Sequence, residues 1–283
     1  MLIYKQYDQA ALDRQYNNRL QVPEWSTHLQ RWADTSRDAE KKYSPVKDIA
    51  YGEGPLENFD IFPSSQPNSK VLVFIHGGYW YKLDKSDFQF IGAGFHSYNV
   101  TIVIVNYPLA PVVTIDQIVQ SCRKALQWIS QHISNYNGDP DQLYIAGHSA
   151  GGHLASMMMT GDLDWALTIK GIKGVCAMSG LYNLLPIQFS DINQVLHLDD
   201  NTVLQNSPVK LQPVIFCPFI IAVGGNEADE YKAQSEELFE CWKDEAPVIM
   251  IEIEDSNHYS IIEEAAQPGT DIHQQLKMLV GLW

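Results

Sequence analysis

The chain has little of what marks several protein classes. Its 283 residues include only four cysteines, Cys122, Cys176, Cys217 and Cys241, and no CxxC pair. Cysteines this far apart, most of them in apolar runs or on a helix face, predict reduced core thiols rather than disulfides or a zinc site. No HExxH motif is present, so a zinc hydrolase of that type is disfavoured. Lysine and arginine total 19 against 34 aspartates and glutamates, a net charge of −15, and no basic run interrupts the pattern. Nucleic acids and anionic membranes attract basic patches, so neither is an expected partner. No apolar run approaches the roughly 20 residues needed to span a bilayer. The opening MLIYKQYDQAALDRQYNNRL lacks a basic start followed by a long apolar core. No secretory signal is therefore expected, and the expected location is cytoplasmic. Internal repeats and low-complexity tracts are absent as well.

What is present is ample core-forming material, with 45% apolar and 19% charged residues. Short apolar runs alternate with helical ones. NFDIFPS (58–64) alternates like a strand, and VLVFIH (71–76) and VTIVIVNY (100–107) read as strands buried on both faces. QLYIAG, IKGVCAMS, FIIAVGG and APVIMIEIE predict four more buried strands. Ile115, Ile118, Val119, Cys122, Leu126, Ile129 and Ile133 recur at helical spacing, as do Ile272, Leu276, Leu279 and Trp283 near the end. KSDFQFIGAGFHSY (85–98) predicts a helix interrupted by two glycines. The alternation predicts an α/β fold, a mostly parallel sheet with helices on both faces, in one domain over residues 1–283. Segments 1–43 and 182–205 fit the core pattern least and are expected to form a small cap. In such sheets the chemistry lies in loops that follow the strands.

Two such loops carry motifs. GHSAG (147–151) matches the G-x-S-x-G elbow and stands between a predicted strand and a predicted helix, the context that motif needs. Ser149 can be read as a helix cap or as a nucleophile. HGGYW (76–80) follows VLVFI, and paired glycines there leave backbone N–H groups exposed to a ligand. A serine attacking a carbonyl needs such donors, and the N–H groups of Gly78, Tyr79 and Ala150 are the candidates. The serine also needs a base. Of nine histidines, His258 in EDSNHYS alone follows the last strand directly. His148 is expected to point away from the reacting face, His76 to brace the glycine loop, and His153 to pack. The acid should fall between Ser149 and His258 in the chain. Glu227 comes soonest after its strand, and Asp229, one turn on, is the alternative.

HGGYW, GHSAGGH, NYPLAP (106–111), LDRQYNNR (12–19) and EYKAQS (230–235) together resemble the kynurenine formamidase (arylformamidase) group of the α/β-hydrolase superfamily. That group is related to the hormone-sensitive-lipase-like esterases. The resemblance covers nearly the whole chain. It implies the α/β-hydrolase fold, oxyanion donors at Gly78 and Tyr79, and an acid at Glu227, where many relatives carry aspartate. It also implies cleavage of an aryl formamide such as N-formylkynurenine, with no metal or organic cofactor. Tyr79, Trp80, Trp25 and Tyr182 are candidates to line an aromatic substrate pocket. A carboxylesterase for small acyl or aryl esters is the rival within the same chemistry. A non-catalytic binding protein on the same scaffold is the rival from another class. The expected partner is a small-molecule substrate, and a homodimer is left open.

Overall fold

Eight strands form one sheet in the computed structural model, which describes residues 1–282. They are β1 (Val46–Ala50), β2 (Asn58–Phe62), β3 (Ser69–Ile75), β4 (Thr101–Val105), β5 (Gly138–His148), β6 (Ile172–Met178), β7 (Phe219–Gly224) and β8 (Val248–Ile253). Their order across the sheet is β1-β2-β4-β3-β5-β6-β7-β8. β1 and β2 run antiparallel to their neighbours, and every pairing from β4 to β8 is parallel. This is the α/β-hydrolase fold.

Alternation along the central strands divides the core between two faces. Val71, Val73 and Ile75 of β3 join one apolar cluster, while Leu72 and Phe74 join the other. Val103 and Val105 of β4 repeat the split with Ile102 and Ile104. Both faces are covered, so these strands are apolar at every position rather than at every second one. APVIMIEIE departs from the expectation of a buried strand. β8 lies at the sheet edge, and Ile249 is 48% exposed. β5 begins at Gly138, earlier than QLYIAG suggests.

Helix Ile115–His132 starts where a capping box forms between Thr114 and Gln117, and it buries the predicted apolar stripe. The glycines of the 85–98 segment do not prevent helix Gln89–His96. A β-carbon on Gly92 would stand 2.6 Å from the Phe62 ring, so the glycine permits close packing of helix on sheet. The N-terminal region forms helices Gln9–Tyr16, Asn18–Gln21 and Trp25–Tyr43. In the last helix, Asp271–Val280, Ile272 and Leu276 are buried as expected, while Trp283 lies outside the described residues. Cys122, Cys176 and Cys217 are buried thiols and Cys241 is exposed. Among the described residues no helix is long and apolar enough to cross a membrane.

Parallel strands end along a common edge. His76, Ser149, Glu227 and His258 all follow strands at that edge, after β3, β5, β7 and β8. The sheet thus gathers residues that the sequence separates by up to 182 positions (His76 to His258).

Candidate active site

Ser149 sits between β5 and helix Ala150–Met159 with φ 58° and ψ −122°. A non-glycine residue in this region is strained, and surrounding structure must hold it there. The flanking glycines are a steric requirement. A β-carbon on Gly147 would fall 2.0 Å from the Gly151 carbonyl oxygen, and one on Gly151 would fall 2.0 Å from that of Ile75. The Ser149 side chain makes no capping bond to its helix. Its Oγ instead donates to His258 Nε2 at 3.1 Å.

The other ring nitrogen of His258 donates to Glu227 Oε2 at 2.7 Å. Glu227 reaches His258 because its turn is tight. Its Oε1 accepts from the Gly224 N–H at 2.7 Å and from the Ser179 hydroxyl. Two donors on one oxygen leave the other oxygen aimed at the imidazole. Ser149, His258 and Glu227 are all buried. Asp229 is exposed, at the first residue of helix Asp229–Trp242, where an acid suits the helix dipole. The structure therefore brings Glu227, and not Asp229, to His258. Ser179 had no signal in the sequence beyond its place at the end of a strand.

The HGGYW loop turns sharply, with φ of 109°, 52° and 61° at Gly78, Tyr79 and Trp80. Several bonds hold it. The Tyr107 hydroxyl donates to the His76 carbonyl at 2.8 Å, and His76 Nε2 donates to Asn106 Oδ1 at 3.0 Å. Trp80 Nε1 donates to His153 Nδ1 at 3.1 Å, which tethers the loop to the helix that follows Ser149. Because His153 Nδ1 accepts, its Nε2 carries the proton and donates to the Asn206 carbonyl at 2.7 Å. Burial pushes the His153 pKa down to about 4, against the opposing bond to Asn206. Among the described backbone bonds, none uses the N–H of Gly78, Tyr79 or Ala150.

A cavity of about 290 Å³ opens over Ser149. Its walls combine the glycine loop with the two segments least like the core. Tyr16, Arg19 and Trp32 come from the N-terminal helices, and Asp191 and Ile192 from the region after β6. Of the four expected aromatic contacts, only Tyr79 lines the cavity. Trp80 and Tyr182 are completely buried in the core, where Tyr182 donates to the Ala177 carbonyl. Trp25 is half-buried beneath the Arg19 guanidinium, 4.2 Å from the ring centre, and does not line the cavity. Sequence could not separate these roles, because an aromatic ring suits a core and a pocket equally.

His148 also departs from expectation, since it lines the cavity instead of pointing away. Its Nε2 donates to the His258 carbonyl at 2.8 Å, which leaves Nδ1 as a buried acceptor without a partner. Burial, and then the neighbouring His258, hold its pKa well below the ordinary imidazole range.

Fold and site define a hydrolase enzyme of the α/β-hydrolase class. The chain belongs to the BD-FAE family, whose sequence profile matches residues 59–214, more than half of its length. It is similar over its whole length to the kynurenine formamidase of Salmo salar, with 27% identity over 297 residues and 98% of each chain covered. A solved structure from Silicibacter sp., described as a candidate thioesterase, shares 27% identity and superposes with a TM-score of 0.82 over 96% of this chain and 98% of its own. Esterase B of Lactobacillus rhamnosis has the same fold, with a TM-score of 0.67 at 16% identity over 93% of this chain and 95% of its own. The protein is thus kynurenine formamidase-like and related to esterases.

Proposed function

We propose that this hydrolase cleaves an aryl formamide such as N-formylkynurenine, with Ser149 as nucleophile, His258 as base and Glu227 as the orienting acid. The reading rests chiefly on the buried chain of bonds from Ser149 Oγ to His258 (3.1 Å) to Glu227 (2.7 Å) at the floor of the cavity. Full-length similarity to a kynurenine formamidase supports the choice of substrate.

In this mechanism His258 Nε2 takes the Ser149 proton as Oγ attacks the formyl carbon. The oxyanion is held by the N–H groups of Gly78, Tyr79 and Ala150. The C–N bond then breaks, and His258 gives its proton to the departing nitrogen. Water attacks the formyl-enzyme, His258 accepts a proton from it, and formate leaves as Ser149 regains its hydrogen. Glu227 fixes the tautomer of His258 and stabilises its charged form. The helices before β1 and those after β6 act as a cap that shields these steps.

The test is kcat/KM on N-formyl-L-kynurenine beside p-nitrophenyl acetate and butyrate. The formamide should reach the roughly 10⁴–10⁸ M⁻¹s⁻¹ of natural substrates. Ser149→Ala should abolish turnover and acyl-enzyme formation. Fast ester cleavage with negligible formamide turnover would move the function to a carboxylesterase. The likeness to a structure described as a candidate thioesterase favours that second reading.

A further inference from the structure

The charge lining the cavity runs against the charge of the chain. Nineteen basic residues face 34 acidic ones in the whole sequence. Around the Ser149 cavity the count reverses, with two cations, Arg19 and Lys82, and one carboxylate, Asp191. Lys82 lies over the Tyr81 ring at 4.6 Å and in the field of Asp191, whose carboxyl is held up by burial and by nearby Asp13. Arg19 has no such counterpart. No described ion pair or side-chain hydrogen bond involves its guanidinium, which is held by stacking on Trp25 at 4.2 Å. A guanidinium held over a ring in this way keeps its N–H donors free to pair with a ligand.

The short helix that carries Arg19 is also fixed relative to the reacting atoms. Asn18, its neighbour, donates to the Tyr231 hydroxyl at 3.0 Å. Tyr231 in turn bonds the Tyr79 hydroxyl at 2.6 Å and packs on the His258 ring, with centroids 4.7 Å apart. One chain of contacts therefore ties the Arg19 helix to both the HGGYW loop and the base. An exposed cation that lines the same cavity as Ser149, on a helix tied in this way, is suited to orienting a charged substrate.

We infer that Arg19 anchors a carboxylate on the leaving half of the substrate. The enzyme then selects aryl formamides or esters whose departing group carries a carboxylate. Planar bidentate pairing of guanidinium with carboxylate supplies both the affinity and the orientation. The inference rests on the acyl-transfer reading of Ser149 and not on the formamide itself.

The experiment compares two acetates with the same acyl group, phenyl acetate and 3-acetoxybenzoate. Both are measured with the wild-type enzyme, Arg19→Gln, Arg19→Lys and Lys82→Gln, with N-formyl-L-kynurenine alongside. The quantity read is the ratio of kcat/KM values, carboxylate ester over neutral ester. Arg19→Gln should lower that ratio about 10- to 100-fold, mainly through KM, as expected for losing a charged hydrogen-bonded pair. Arg19→Lys should recover part of it, and added salt should weaken the wild-type preference. Lys82→Gln should move the ratio less than Arg19→Gln does. An unchanged ratio in Arg19→Gln, or equal losses on both esters, overturns the inference. Failure of both esters and of the formamide to react overturns it together with the acyl-transfer reading, and turnover of the formamide alone overturns the inference if Arg19→Gln leaves its KM unchanged. An Arg19-dependent preference on esters without formamide turnover upholds the inference and removes only the formamide.

Discussion

His148 donates from Nε2 to the main-chain oxygen of His258 at 2.8 Å. The residue before Ser149 thus holds the loop of His258, with the two rings 4.8 Å apart. The bond spans 110 residues of sequence and joins the ends of β5 and β8. In the proposed mechanism that bond makes His148 a positioning residue. A neutral imidazole is required, since a second cation beside His258 would oppose the charge that forms there during acyl transfer.

His148→Leu should lower kcat about 10- to 100-fold with little change in KM, because an ill-placed base weakens the transition state alone. It should also cost about 1–3 kcal/mol of stability for the carbonyl left unpaired. His148→Gln, which can still donate to that carbonyl, should restore part of both. Steady-state kinetics and urea unfolding on the same samples provide the check. A loss of stability with unchanged kcat would show a purely structural role.

The two candidate acids separate cleanly. Glu227→Gln keeps the shape but destroys the acceptor that selects the His258 tautomer, so kcat should fall roughly 10²- to 10⁴-fold. Asp229→Asn removes an exposed charge at a helix start and should change kcat/KM less than about threefold. The kinetics of the two single variants decide the matter, and a loss confined to Asp229→Asn would refute the assignment.

Stability should fall with acid, and the cause is buried neutral histidine. Burial holds the pKa values of His148, His153 and His76 below the ordinary 6.5. Above about pH 6.5 these rings are neutral in both folded and unfolded chains. Below it the unfolded chain binds protons that the folded chain refuses, so stability is lost as pH drops toward the folded values. His153, with its pKa pushed down to about 4, should alone account for about 3 kcal/mol of loss between pH 6.5 and 4. Urea unfolding from pH 7.5 to 4.5 measures the slope. His153→Gln, which can keep both bonds of that ring, should flatten the slope by about one proton, and an unchanged slope would contradict the assignment.

Much of the fold was legible because hydrophobic periodicity is local. The runs at 71–76 and 100–107 read as two-sided strands, and the stripe from Ile115 to Ile133 as a helix, which the structure ends at His132. β8 was misjudged because an apolar run does not say whether it lies at the middle or the edge of a sheet. The Ser149 and HGGYW loops were legible for a different reason. Their glycines stand where a side chain would meet neighbouring backbone, so the motif records a steric fact in the sequence.

The sequence by itself determined the order of strands and helices, the elbow and the glycine loop, and a short set of polar residues at strand ends. Only the tertiary structure decided which of those residues meet. Glu227 and Asp229 differ by two positions, yet one turn aims its carboxylate at His258 and the other lies exposed on a helix. Trp80 and Tyr79 are adjacent, yet one is core and the other cavity wall. The bond from His148 to His258 depends on parallel strands ending along one edge, and the place of Arg19 beside the cavity depends on an N-terminal helix tied to Tyr231. Such meetings are set by long-range packing, which local pattern in a chain does not encode.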